Sequence, residues 1–474
     1  MKILIVGTGY VGLPHGAVCA EYGHEVHAYD IDEKRINAYK SGEKEQIERH
    51  VNEPGLADSI AENLNRYLFF TTDVESVIEG VDVIFMCLNT PPQRDGSSDL
   101  SYLSSAARDV GKALAGRKEH KRVVIVNKST VPVGTARLVE GIVRDQGATN
   151  FGVASNPEFL AQGNAIEGSR RPDRIVIGAD TQEDLDILRR VYAQFVNHVR
   201  IHYIETTPET AESIKYMANS LLLTYISYWN GVGGRLAESF DNIRMEDLKR
   251  GVTSDNRIST WGSYVSNGAG GSCFGKDIQS LMYQLNRAGQ QTDLLRSVYN
   301  INEYQKHYLI DRAVHEADFS FNNKTVALLG LAFKKRTNDM RDSAALKAVE
   351  ALLAKGVKEI RAYDPLATEP AQEYWFNPKN NYLFERITYH DSAADALKGT
   401  DASYISTDWE EFRGLATTIE KTTKAPHLVI DGRRMIFDFQ ALVEKGYDYL
   451  PVGGQLVKGV REQFLKKGKA TKKK

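Results

Sequence analysis

The sequence predicts an α/β protein of two doubly wound domains joined by a long central helix and a helical dimerisation region. Three observations predict it. The strand-like run Ile3-Leu4-Ile5-Val6 leads directly into a glycine-rich turn; short β-rich or continuously apolar runs then alternate with helical sequence; and a second strand-then-glycine unit appears at Lys324-Thr325-Val326-Ala327-Leu328-Leu329-Gly330. Continuous apolar runs of this length suit parallel strands covered by helices on both faces, so each half is expected to be Rossmann-like.

Taken in order, strands are expected at residues 3–6, 25–29, 83–88, 123–126 and 174–177. From about 207 to 239 the pattern changes to one long helix with an apolar stripe at Ile214, Met217, Ala218, Leu221, Leu222 and Tyr225. Such a helix is expected to bridge domains and pack against a partner subunit, in a homodimer or higher homo-oligomer. The ends of the chain echo each other. Gly23-His24-Glu25-Val26-His27-Ala28-Tyr29-Asp30 resembles Gly356-Val357-Lys358-Glu359-Ile360-Arg361-Ala362-Tyr363-Asp364, both reading as strands that end in an acid. Gly80-Val81-Asp82-Val83 parallels Gly399-Thr400-Asp401-Ala402, so one βαβ scheme is expected twice.

At 474 residues the chain calls for two or three domains. A net charge of −2, from 60 basic and 62 acidic residues, argues against a nucleic-acid or membrane-surface protein and for a small-molecule or protein partner. Three cysteines, Cys19, Cys87 and Cys273, cannot form a disulfide framework and suit a reducing, cytoplasmic setting; the first two sit in apolar surroundings and read as core. With a strand-like run directly after Met1-Lys2 no signal peptide is expected, and apolar runs fall short of a membrane span. No metal site is expected. The lysine-rich end, 466–474, reads as a solvated, disordered tail.

Gly7-Thr8-Gly9-Tyr10-Val11-Gly12 follows the first strand and opens a helix. In that context the glycines permit a tight turn and close approach of a pyrophosphate, which the helix N-terminus stabilises. Asp30 ends the second strand 18 positions beyond Gly12, where a carboxylate accepts ribose hydroxyls and repels a 2′-phosphate; NAD is therefore favoured over NADP. Arg35 is close enough to stack on adenine or to pair with an acid.

Gly270-Gly271-Ser272-Cys273-Phe274-Gly275-Lys276-Asp277 places a thiol among glycines with an ammonium and a carboxylate behind it. Small neighbours let a substrate carbon approach sulfur, and a nearby cation favours the thiolate; by itself the segment also fits an inert buried cysteine. Lys215 and Asn219 lie one helical turn apart on a shared face flanking the apolar stripe, where they can hold one substrate oxygen, though alone they read first as a solvated lysine and a surface amide.

Together these segments resemble the UDP-glucose 6-dehydrogenase branch of the nucleotide-sugar dehydrogenases, from residue 1 to about 455. The resemblance runs through the glycine turn, Asn89-Thr90-Pro91, Lys128-Ser129-Thr130-Val131-Pro132-Val133-Gly134, Ser155-Asn156-Pro157-Glu158-Phe159-Leu160, the Pro172-Asp173-Arg174 segment, the Lys215 helix, Asp255-Asn256-Arg257-Ile258, the thiol loop, Gly330-Leu331-Ala332-Phe333-Lys334, Asp339-Met340-Arg341-Asp342-Ser343 and Asp431-Gly432-Arg433. It implies oxidation of a sugar C6 alcohol to a carboxylate with two NAD. Lys215 and Asn219 would stabilise the developing oxyanion, Asp277 with a water would take the proton, and Thr130 would hold that water. Cys273 would form a thiohemiacetal and then a thioester, with Lys276 and Lys215 favouring its thiolate and Glu158 as general base for hydrolysis. The resemblance further implies cofactor contacts from Gly7, Gly9, Tyr10, Val11, Gly12, Asp30, Arg35, Thr90, Thr130, Lys276 and Arg341. Substrate contacts are implied for Glu158, Phe159, Leu160, Lys215, Asn219, Gly270, Phe333, Lys334 and Arg433, with Arg257 reaching the sugar across a dimer interface. As isolated residues the arginines would read as surface charges.

Domains are accordingly expected at 1–204 (NAD-binding), 205–318 (central, helical, carrying the thiol loop) and 319–455 (nucleotide-sugar-binding), followed by a basic tail at 456–474. The sequence departs from the branch in three places. Gln162 stands where a second glutamate is common, so thioester hydrolysis rests on Glu158; an amide orients water but takes no proton. Ala269 replaces an aromatic before the Gly-Gly pair, which suggests a wider sugar pocket, and Asn230-Gly231 replaces Asn-Glu or Asn-Ser on the bridging helix. UDP-glucose is the expected substrate, with GDP-mannose or another nucleotide sugar as the close alternative. A two-electron 3-hydroxyacid dehydrogenase, or a sensor that keeps the pockets without turnover, are further readings.

Overall fold

Continuous burial of Ile3, Leu4, Ile5 and Val6 makes the first strand the centre of a sheet, as a run apolar on both faces requires. The computed structural model describes residues 1–119 and 121–461. They divide into two compact units, Met1–Asn219 with Lys276–Thr292, and Ser220–Gly275 with the chain from Asp293 onward.

The first unit holds strands β1 (Lys2–Val6), β2 (Glu25–Tyr29), β3 (Leu68–Thr71), β4 (Val83–Met86), β5 (Val123–Asn127), β6 (Phe151–Ser155), β7 (Arg174–Gly178) and β8 (His202–Thr206), in the order β3-β2-β1-β4-β5-β6-β7-β8. Its first six strands have the dinucleotide-binding order. The sheet is not wholly parallel: β6 and β7 meet antiparallel, at Ser155 and Gly178. Helix Gly12–Glu21 packs its alanines and Leu13 into the core on one side. Helix Glu33–Ser41 begins where Asp32 accepts the amides of Lys34 and Arg35, and ends at Gly42 in the left-handed region.

The second unit repeats the scheme with β9 (Thr325–Leu329), β10 (Glu359–Tyr363), β11 (Ile387–Tyr389), β12 (Ala402–Ile405), β13 (Leu428–Asp431) and β14 (Asp448–Pro451), all parallel in the order β11-β10-β9-β12-β13-β14. The echo extends to individual bonds. Asp82 accepts the amide of Lys2 and Asp401 that of Thr325, each at 2.9 Å, so an acid ahead of the fourth strand ties down the start of the first in both halves. Val457 exchanges both main-chain bonds with Tyr449 at 2.9 Å; the lysine-rich run 466–474 lies outside the described residues.

The long helix differs from the uninterrupted one expected. It runs from Pro208 to Tyr228, passes through a π-helical turn at Trp229–Gly234 and resumes at Arg235–Ser239. A Cβ on Gly231 would stand 3.1 Å from Ile301, and one on Gly233 2.9 Å from the Trp229 ring, so this turn depends on small residues. The apolar stripe is not fully buried within the chain. Met217 and Leu221 are each 60 % exposed while Lys215 and Asn219 are buried, so the polar pair occupies the inward face.

Candidate active site

In the first unit the three glycines of the turn do different work. A Cβ on Gly12 would lie 1.9 Å from the Gly7 carbonyl oxygen, which excludes any other residue, whereas a Cβ on Gly9 would meet nothing within 4 Å. That open space borders the start of helix Gly12–Glu21, where Val11 supplies no side-chain cap and the first turn carries no acid. An anion therefore fits there without competition, and Tyr10 and Val11 stand half-buried beside it. Asp30 Oδ2 accepts from the Thr8 amide and hydroxyl at 2.8 and 2.9 Å and from Arg35 Nη1 at 2.9 Å. Those bonds outweigh burial and hold the Asp30 pKa below the usual carboxylate value. Its Oδ1 takes the Asp32 amide at 3.1 Å and keeps accepting capacity for a ribose hydroxyl. The residues present fit NAD, and Arg35 is spent on Asp30 rather than left to stack on adenine. Thr90 and Thr130 come together, the Thr90 hydroxyl donating to the Thr130 carbonyl at 2.9 Å.

Also in this unit, Lys215 Nζ lies 3.2 Å from Glu158 Oε1, and the Leu160 amide donates to Glu158 Oε2 at 2.5 Å. Both charged side chains are buried, so each depends on the other for charge compensation. Asn219 Nδ2 donates to Asp277 Oδ2 and Lys276 Nζ to Asp277 Oδ1, both at 2.5 Å. Phe159 carries the Lys215 ammonium 5.2 Å from its ring centroid and the Arg174 guanidinium at 3.9 Å. Glu158, Phe159, Leu160, Arg174, Lys128 and Asn156 line a cavity of about 300 Å³. The side-chain Nε2 of Gln162 is buried without a hydrogen-bond partner.

Three supporting residues receive no role from the sequence. Lys128 is buried and donates to Asn156 Oδ1 at 2.9 Å; burial pushes its pKa down to about 8. Glu53 accepts the amides of Gly163 and Ala165, fixing the segment after Glu158. Glu212 accepts from Gly134, Ala136 and Ser155, tying the Thr130 segment to the helix that carries Lys215, and burial raises its pKa. The only signal for Glu212 is an acid one turn before Lys215.

In the second unit Cys273 is exposed, directly ahead of helix Phe274–Arg287, whereas Cys19 and Cys87 are buried with thiols pushed up to about 12. Gly270 has no room for a side chain, since its Cβ would stand 2.5 Å from the Asp342 carbonyl oxygen. Gly271, at φ +92°, packs against the Phe333 ring. Arg433 donates through Nε to the Ser406 carbonyl at 3.0 Å and through Nη2 to that of Phe333 at 2.9 Å. The Lys334 ammonium sits 5.4 Å from the Phe333 ring centroid, so Phe333, Lys334 and Arg433 lie close together. Arg341 pairs with Asp339 at 2.7 Å, and the largely exposed Arg257 with Asp255 at 2.6 Å.

A dinucleotide seat together with buried acid–base pairs and an exposed thiol belongs to the equipment of an NAD-dependent dehydrogenase. Comparison with known proteins narrows the class. Residues 1–196 match the NAD binding domain of the UDP-glucose/GDP-mannose dehydrogenase family, residues 209–304 its central domain and residues 327–438 its UDP binding domain. Over 461 residues the chain is 37 % identical to UDP-glucose 6-dehydrogenase TuaD of Bacillus subtilis (strain 168), covering 97 % of this chain and 94 % of that one. Over 460 residues it is 35 % identical to UDP-glucose 6-dehydrogenase of Pseudomonas aeruginosa, covering 96 % and 97 %. A UDP-glucose dehydrogenase structure from Pyrobaculum islandicum superimposes with a TM-score of 0.84 at 31 % identity, covering 96 % of this chain and 98 % of that chain. The chain belongs to the UDP-glucose/GDP-mannose dehydrogenase family and is an NAD-dependent nucleotide-sugar 6-dehydrogenase. Among the described residues no helix is long and apolar enough to cross a membrane.

Proposed function

We propose that this protein converts UDP-glucose to UDP-glucuronate, reducing two NAD and consuming one water per sugar, and that it works in the cytoplasm as a homodimer. The observation that carries the reading is the buried pairing of Lys215 with Glu158 and of Asn219 with Asp277, which gives one helix face both cationic and amide donors with carboxylates as their partners. Relatives named UDP-glucose 6-dehydrogenase support the substrate, and a sparse, odd set of three cysteines supports a reducing compartment. The exposed Met217, Leu221 and Tyr228 on the long helix support the second subunit, from which Arg257 would reach the sugar. Residues 1–204 bind the cofactor, 205–318 carry the thiol and subunit contact, and 319–455 bind the nucleotide sugar.

When bound, NAD accepts one hydride in each of two oxidations. In the first, Lys215 and Asn219 stabilise the negative charge that grows on the C6 oxygen, and Asp277 takes the hydroxyl proton through a water held by Thr130. The Cys273 thiolate then attacks the aldehyde carbon; the S–C bond forms as the carbonyl π bond breaks, and the oxygen is protonated. The start of helix Phe274–Arg287 favours the anionic sulfur, with Lys276 adding positive charge. Loss of a second hydride and of the hydroxyl proton leaves a thioester. Glu158 deprotonates the water that releases the acid and restores the thiol, and Gln162 orients that water through its unpartnered Nε2. Phe333, Lys334 and Arg433 hold the diphosphate, and Phe159, Leu160 and Gly270 shape the sugar site. Thr90, Arg341 and the glycine turn serve the cofactor.

Purified protein assayed on UDP- and GDP-sugars should reduce NAD fastest with UDP-glucose and give two NADH per sugar. One NADH with aldehyde as the product, or faster turnover of a GDP-sugar, would overturn the reading. Cys273→Ser should stall after the first oxidation, whereas Lys215→Ala should slow the first oxidation by about 10²–10³-fold, both measured by single-turnover NADH absorbance. Gln162→Glu should leave NAD binding unchanged and speed hydrolysis; slower thioester breakdown would show that the amide is adapted to its place.

A further inference from the structure

The stretch 266–275 that precedes and contains Cys273 has almost no helix or strand of its own to hold it, so its main-chain groups must find partners elsewhere. Within the second unit, helix Asp293–Glu316 supplies them from one face: Asn302, Gln305 and Lys306, all fully or almost fully buried, at spacings of three and four. Asn302 brackets Ala269, accepting its amide at 2.8 Å and donating to its carbonyl at 2.9 Å. Gln305 Nε2 donates to the Ser266 carbonyl at 2.7 Å. This pairing explains why Ala269 tolerates a small side chain: its backbone, not its side chain, is what is held.

Lys306 acts one step further on. Its ammonium pairs with Glu303 and with Asp342 Oδ1. Asp342 sits at φ +55°, a left-handed conformation that a non-glycine residue keeps only where its surroundings enforce it. From there its carbonyl oxygen closes against Gly270 and its Oδ2 against Gly275, while the neighbouring Arg341 carbonyl accepts the Gly271 amide at 2.8 Å. The two glycines packed against Asp342 thus flank Cys273.

We propose that Lys306, through Asp342, is a positioning residue for the second oxidation, holding the thiol loop in the geometry in which Cys273 captures the aldehyde. The proposal rests on the reading of Cys273 as the nucleophile. Lys306 touches neither substrate nor cofactor in this role. It fixes the two sides of the loop, and a displacement of order 1 Å at a nucleophile costs about 100-fold in rate.

The test compares Lys306→Met, Lys306→Arg, Asn302→Ala and Cys273→Ser with the parent enzyme. NAD affinity, NADH formed in the first turnover, and aldehyde trapped with hydroxylamine against acid formed are measured. Lys306→Met is expected to keep NAD affinity and the first oxidation within about threefold while acid formation falls about 30-fold or more and aldehyde is released. Lys306→Arg should restore most of the acid, and Asn302→Ala should shift the product ratio in the same direction by a smaller factor. Should Lys306→Met fail to fold, Asn302→Ala decides the matter through the same ratio. An unchanged ratio of aldehyde to acid in Lys306→Met and Asn302→Ala, or equal loss of both oxidations, would overturn the proposal. Acid formed by Cys273→Ser at the parent rate would instead overturn the nucleophile itself.

Discussion

The two halves of this chain share a strand order and spend it differently. In the first, the turn after β1 carries three glycines and leads straight into a helix, and Asp30 keeps one oxygen with accepting capacity. In the second, only Gly330 follows β9, and both oxygens of Asp364 are filled. Oδ2 takes the amides of Leu331 and Ala332 and the indole of Trp409; Oδ1 takes the amides of Leu366 and Ala367. An acid so occupied has no capacity left for a ribose, and the segment beyond Gly330 runs on to Phe333, Arg341 and Asp342 instead of starting a helix. A shared topology therefore fixes where the acid stands, while the donors around it decide whether it recognises a ligand or braces the fold.

The contrast is sharpest under mutation. Asp364→Ala should destabilise its half by about 3–4 kcal/mol, because five donors, three of them fully buried, lose their acceptor at once; urea unfolding should show this with NAD affinity unchanged. Acid comes next. Each half encloses a histidine held neutral by burial, His15 in the first and His427 in the second, the latter with a pKa depressed to about 4. The unfolded chain binds a proton at His427 near pH 6.5 and the folded chain does not, so stability is complete above that pH and lost as pH falls from about 6.5 to 4. The loss is about 3 kcal/mol for His427 alone. Thermal unfolding across that range should show it, and His427→Gln should flatten the dependence.

Gly9→Ala should raise the NAD dissociation constant by about 10–100-fold, since its Cβ enters the space a pyrophosphate needs, yet leave the melting temperature nearly unchanged because no protein atom lies there. Calorimetric titration with unfolding scans would separate the two. The smallest effect is expected from Asp30→Asn, a rise of about threefold to tenfold in that constant, with relaxed discrimination against NADP. Equal effects of the Asp30 and Asp364 changes on NAD binding would break the comparison.

Much of this architecture is legible in the amino-acid order. The apolar runs identify the strands they name, and the paired Gly–strand–Asp segments reveal the repeat, because these signals depend on close neighbours and on steric room. The antiparallel contact of β6 and β7, the π turn at Trp229–Gly234 and the burial of Lys215 and Asn219 are not legible there. Periodicity locates an apolar face without saying what covers it. The buried lysines are hidden for the same reason, since Lys128 and Lys306 look like any exposed lysine until the groups around them are known.

By itself the sequence determined the two βαβ halves, the dinucleotide turn and the glycine-flanked thiol, all written in residues a few positions apart. Only the tertiary structure decided that Lys215 faces inward to Glu158, 57 residues away, that Asn219 reaches Asp277 across 58, and that Lys306 meets Asp342 across 36. Local pattern sets backbone conformation, but the partner of a buried charge is chosen by the whole packed chain, where leaving it unpaired costs several kcal/mol.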